Sequence, residues 1–113
     1  MAVAAFGVGG GTAVNHTLTG ITYRTFTAPL SQVKAASVTA LDRMGMQRAG
    51  GQKSPSGETI LAKASDRDIE IELESLSKNS TRMRVIAKNG GLFYDSATAT
   101  EIILQTEKAL GKT

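Results

Sequence analysis

The chain has no cysteine, no tryptophan and a single histidine, His16. Without cysteine there can be no disulfide, no thiolate nucleophile and no cysteine-ligated zinc. One histidine, flanked by Asn15 and Thr17, has no second His or Cys to complete a structural zinc site, and it leaves little for a catalytic triad. It reads as a solvated linker residue. Aromatics are scarce: Phe6, Tyr23, Phe26, Phe93 and Tyr94 are all there are. A core must therefore be built from Ile, Leu, Val, Met and Ala. No apolar run approaches the roughly 18 residues of a membrane-spanning helix. Runs of basic residues are absent as well. Thirteen Lys and Arg against ten Asp and Glu give a formal charge of +3, but the excess is scattered. Nucleic-acid binding needs several aligned cations, so no nucleic-acid partner is expected.

What the chain does have is a clear β signal between Gly57 and Lys88. Ile69, Ile71 and Leu73 alternate with Asp68, Glu70, Glu72 and Glu74, the period of a strand with one dry and one wet face. Three strands are expected, at Glu58–Ser65, Asp68–Leu76 and Thr81–Lys88. A two-residue turn at Asp66-Arg67 would set Ala64 opposite Ile69, Ala62 opposite Ile71 and Ile60 opposite Leu73. A three-residue loop at Lys78-Asn79-Ser80 would set Leu73 opposite Val85, Glu74 opposite Arg84 and Glu70 opposite Lys88. Apolar residues then share one face, and opposite charges meet on the other.

Around this stretch the chain supplies further elements. Asn15–Thr27 reads as a first strand, with Ile21 and Tyr23 on its buried side and Gly20 marking a bulge or a close approach. Ala28-Pro29 opens a helix, where proline is accepted in the first turn. Leu30, Val33, Ser37, Ala40, Leu41 and Met44 form its apolar stripe, and Gly45 ends it in the left-handed conformation. Met46–Lys53 is a second strand, followed by a loop at Ser54-Pro55-Ser56-Gly57. After a turn at Asn89-Gly90-Gly91, Asp95 or Ser96 caps a last helix, Ala97–Leu110. Ala99, Ile102, Ile103, Thr106 and Leu110 make its stripe. The order β-α-β-β-β-β-α predicts an α+β two-layer sandwich: an antiparallel sheet with two helices packed on one face. Residues 15–113 form that single domain. The uncharged, glycine-rich segment 1–14 reads as a flexible tether.

Residues that could carry chemistry are few. Asp66, Asp68 and Glu70 lack the spacing and the closing glutamate of a calcium loop. Glu70, Glu72 and Glu74 face solvent beside Arg84 and Lys88, so nothing there would shift a carboxyl pKa for acid–base work. Gly7-Val8-Gly9-Gly10-Gly11 follows no strand and lacks the lysine of a phosphate loop. No catalytic, metal or cofactor site is expected. The informative group is Leu92, Phe93 and Tyr94, the candidate interaction patch. These three either close the end of the core or stand partly exposed for docking.

Three segments carry a resemblance: TYRTFTAPLSQVKAASVTALDRMG from Thr22, GETILAKASDRDIEIELE from Gly57, and GLFYDSATATEIILQTEKAL from Gly91. Together they resemble a family of small proteobacterial cell-envelope lipoproteins of unknown function, from about Gly20 to Leu110. The order of elements is also similar to helix-grip domains of envelope assembly lipoproteins. The resemblance implies an export signal, a lipidated cysteine and a small-residue tether ahead of the domain. Met1–Val14 looks like that tether without its anchor. It implies a periplasmic location, another envelope protein as partner, membrane contact only through the N-terminal lipid, and no catalytic residues. The expected function is a non-enzymatic structural or interaction domain that uses the Leu92–Tyr94 link and an exposed sheet edge, the first or last strand. The alternative is a carrier of a small apolar ligand, with a pocket left between helices and sheet by Ala36, Ala40, Ala62, Ala64 and Ala99.

Overall fold

Alternation of apolar and polar residues builds the sheet, and two amphipathic helices close its dry face. The computed structural model describes residues 16–18, 21–64, 66–89 and 93–111. In chain order the elements are β1 (His16–Leu18), β2 (Ile21–Phe26), α1 (Leu30–Arg43), β3 (Gln47–Ser54), β4 (Gly57–Ala64), β5 (Arg67–Ser77), β6 (Ser80–Asn89), β7 (Phe93–Tyr94) and α2 (Ser96–Ala109). One antiparallel sheet runs β1-β2-β6-β5-β4-β3, with β7 paired to the far end of β6. The expected α+β architecture, β-α-β-β-β-β-α with both helices packed on the sheet, is the observed one.

The inner face of the sheet carries Phe26, Ile60, Ala62, Ile69, Ile71, Leu73, Met83, Val85 and Ala87, all buried. Val33, Ala36, Ala40 and Leu41 of α1 and Ala99, Ile102 and Ile103 of α2 meet them. α2 lies over β6 and β2, α1 lies over β5, and the helices pack on each other. Buried hydroxyls in the helices are satisfied locally: Ser37 donates to the Val33 carbonyl and Thr106 to that of Ile102, each at 2.8 Å. Thr81 of β6 donates to the Ala28 carbonyl at 2.8 Å and fastens the entry to α1.

Helix ends follow their residues. Pro29 is the cap of α1 rather than part of its first turn; its carbonyl accepts from Gln32 and Val33. Gly45 (φ 72°) and Gly111 (φ 78°) take the left-handed conformation that lets the chain leave each helix. Asp95 caps α2.

Several expectations are corrected. The first strand is two strands, β1 and β2, paired His16 to Tyr23 and Leu18 to Ile21. Gly20 lies outside the described residues. The buried side of β2 is Thr22 and Phe26, not Ile21 and Tyr23. Phe26 is the larger apolar side chain at the end where the core begins; once it turns inward, the period of two carries Thr22 and Arg24 with it. Both hairpins pair two residues away from the expected register. In the first, Arg67 belongs to the strand and not to the turn, so Ala64 opposes Arg67, Ala62 opposes Ile69 and Ile60 opposes Ile71. Arg67 joins the strand because Asp95 holds its guanidinium at 2.6 Å. The second turn is Lys78-Asn79, with Leu76 absorbed as a bulge between Ser75 and Ser77. Glu74 therefore faces Arg82, Leu73 faces Met83 and Ile71 faces Val85. A slip of two keeps every residue on its face, so the dry and wet sides stand as expected. The last long strand, expected at an edge, is central: β6 lies between β2 and β5. Among the described residues the edges are β1 and β3.

Candidate functional site

Two places on this frame present groups to solvent in a built arrangement. The first is the junction of β6, β7 and α2. Gly90, Gly91 and Leu92 lie outside the described residues, so of the candidate patch the structure places Phe93 and Tyr94. Neither closes the core. Phe93 is 72% exposed and Tyr94 49%. They form β7, with Tyr94 opposite Lys88 and Phe93 opposite Asn89. The Lys88 ammonium lies 5.5 Å from the centre of the Tyr94 ring, within cation–π range.

Asp95 holds this ledge in place. Its backbone N–H donates to the Ala87 carbonyl at 2.7 Å. Its carboxylate accepts from the Thr98 N–H at 3.0 Å, from the Thr98 hydroxyl at 2.6 Å and from Arg67 Nε at 2.6 Å. These donors, Thr98 first and Arg67 next, lower its pKa from the usual 3.8 to about 2. The same contact raises the pKa of Arg67, helped by Asp66 at 2.9 Å. The two exposed aromatics thus stand on a pinned strand directly before a capped helix.

The second place is the open edge at β3. A groove of about 360 Å³ runs between α1 and the β3–β4 edge. Lys34 of α1 and Arg48 and Lys53 of β3 line it, with Glu58 the one acid; Gly51 and Ile60 also line it. Lys34 pairs with Glu58 at 2.7 Å. A Cβ on Gly51 would overlap the Thr59 carbonyl, so only glycine fits that point of the edge. Sequence reasoning missed these residues. Their signal was present in the composition of QRAGGQKS: two cations, no acid, and no apolar side chain larger than Ala49.

Two ion pairs clamp the helices at opposite sides of the sheet. Lys34–Glu58 ties α1 to β4, and Arg24–Glu107 at 3.0 Å ties β2 to α2. Arg24 is only 12% exposed and also lies over the Phe26 ring. Its Nε and the Thr22 hydroxyl are buried with no partner among the described residues.

The residues weighed for chemistry separate. Glu72 and Glu74 meet Arg84 and Arg82 across the outer face. No cluster of three His, Asp or Glu among the described residues could hold a metal ion. Of the small residues expected to leave an internal pocket, Ala36, Ala40, Ala62 and Ala99 are buried in the core and Ala64 packs against it. The groove at β3 is polar and lies at the sheet edge. No described helix is long and apolar enough to cross a membrane. Segment 1–14, read as a tether, lies outside the described residues. No protein-family model matches the chain, and no curated protein is significantly similar to it.

Proposed function

We propose that the domain is a non-enzymatic interaction module of the cell envelope, with Phe93 and Tyr94 as its principal contact surface. The observation that carries this reading is the exposure of two adjacent aromatics on a strand fixed by Lys88, Asp95 and Arg67. Exposed apolar side chains scattered singly are ordinary. Consecutive strand residues point to opposite faces, so the two rings are separate contact points on one strand, and a backbone already fixed has less left to order when a partner covers them. Aromatic side chains supply much of the binding energy at interfaces. The charged outer face fits the same reading, since Glu72 pairs with Arg84 and Glu74 with Arg82, and no convergent polar set stands out among the described residues.

The envelope setting rests on the resemblance of residues 20–110 alone. An export signal and lipid anchor belong to that part of the proposal. Protease accessibility of the native gene product in spheroplasts tests it; protection of the domain from added protease refutes it.

For the contact surface, a photo-crosslinking side chain is placed at Phe93 or, as a control, at Asp42 on the exposed side of α1. The expected result in the native host is one discrete adduct from position 93 that position 42 does not give. Adding unlabelled wild-type protein should suppress it, and adding the Phe93→Ala/Tyr94→Ala variant should not. Identical adducts from both positions, or none from 93, would overturn the assignment.

A further inference from the structure

Strand β3 differs chemically from its neighbours. All eight of its residues are exposed, it carries Arg48 and Lys53 and no acid, and among the described residues it pairs only with β4. One row of its backbone N–H and C=O groups therefore faces away from the sheet. A bulge between Arg48 and Gly50, with Gly50 at φ 141°, blunts the upstream half of this edge. Downstream, Gly51, Gln52, Lys53 and Ser54 keep uninterrupted register with Ile60, Thr59, Glu58 and Gly57.

We infer that this edge binds an extended acidic peptide segment of another protein by strand addition. The peptide backbone pairs along residues 51–54, and its carboxylates lie against Arg48 and Lys53 in the groove beside α1. Main-chain bonds at an open edge give affinity, and the flanking side chains select the sequence. The charges do the selecting here. Among the described residues neither Arg48 nor Lys53 has a carboxylate partner, and the one acid in the groove is engaged by Lys34. A second copy of the chain is disfavoured on the same edge, because it would bring like charges into the groove. A nucleic acid is disfavoured too: two cations release few counterions, and among the described residues no aromatic lines the groove to stack a base. This surface is separate from Phe93 and Tyr94, and its test does not depend on them.

The probe is a fluorescein-labelled peptide of about eight residues alternating Glu with Thr or Val, titrated into the full chain and read by anisotropy. Saturable binding is expected, with amide shifts in residues 51–54 by NMR. Methylating alternate backbone nitrogens of the peptide should weaken binding at least about tenfold, as should replacing its Glu by Lys. Arg48→Glu with Lys53→Glu should do the same, while Phe93→Ala should leave binding unchanged. Equal binding of the methylated peptide, tighter binding of a single-stranded oligonucleotide, or no saturation below about 1 mM would overturn the inference. Circular dichroism of the charge-reversed variant checks its folding; residues so exposed should leave its melting curve in place. If that variant unfolds, the methylated and lysine peptides on the wild-type chain decide.

Discussion

Asp95 is the residue on which most local structure converges: it caps α2, anchors β7 through its backbone and fixes Arg67 at the start of β5. Its carboxyl titrates at about 2 instead of 3.8, so the folded state favours the ionised form. A lowered pKa contributes stability that is present above 3.8 and is lost as the pH falls through about 2. Urea unfolding of the wild type and Asp95→Asn, compared from pH 5 down to 2, should show curves that converge as the pH falls. At neutral pH Asp95→Ala should cost about 1–2 kcal/mol, the range for loss of a capping side chain. Curves that stay parallel would mean that the carboxylate charge contributes nothing. A cap at Asp95 or Ser96 was legible, since short polar residues precede an apolar period of 3.6; the structure selects Asp95. Its link to Arg67 was not legible, because the two are 28 positions apart and only the fold joins them.

At the scale of elements, burial decides which ion pairs matter. Arg82–Glu74 lies in the open, with side chains 50% and 46% exposed. Such pairs contribute from zero to about 1 kcal/mol. Arg24 is largely covered by α2, so removing its partner strands a guanidinium that already has one unpaired nitrogen. Glu107→Ala is therefore expected to lower stability by about 1–2 kcal/mol, and Glu74→Ala by a few tenths. Thermal melts of the two variants compare them directly; equal losses would show that the α2 clamp is no more than a surface pair. Charge complementarity on the outer face was legible, as Glu74 opposite Arg84 and Glu70 opposite Lys88; the pairs that form are Glu74–Arg82 and Glu72–Arg84, and Glu70 lies opposite Ile86. The partners came out two residues away, because Leu76 could be absorbed as a bulge and nothing in the alternation forbade it.

Across the whole molecule, stability should be graded from the centre of the sheet to its edge. β5 and β6 are each paired on both sides and covered by helices, whereas β3 is exposed throughout and paired on one side. Local opening follows this kind of gradient. Amide hydrogen exchange should be slowest at Ile71 and Val85 and faster by at least about a hundredfold along β3. Uniform protection would place β3 in the same cooperative unit as the core. The two proposed surfaces differ in the same terms: the aromatic ledge is tied to β6 and to Arg67 through Asp95, and the peptide edge is paired on one side only.

By itself the sequence determined which side chains face inward along β4, β5, β6 and both helices. Side-chain direction repeats every two residues in a strand and every 3.6 in a helix, so it survives small errors in register. Tertiary structure alone decided the register, the facing of β2 and the placing of β6 at the centre. Those depend on contacts between distant residues: Thr81 with Ala28, Arg24 with Glu107, Arg67 with Asp95. The Phe93–Tyr94 pair shows the division most plainly. Its bulk was visible in the chain; that it stands outside the core follows from β7 pairing with the end of β6, where β2 has already ended.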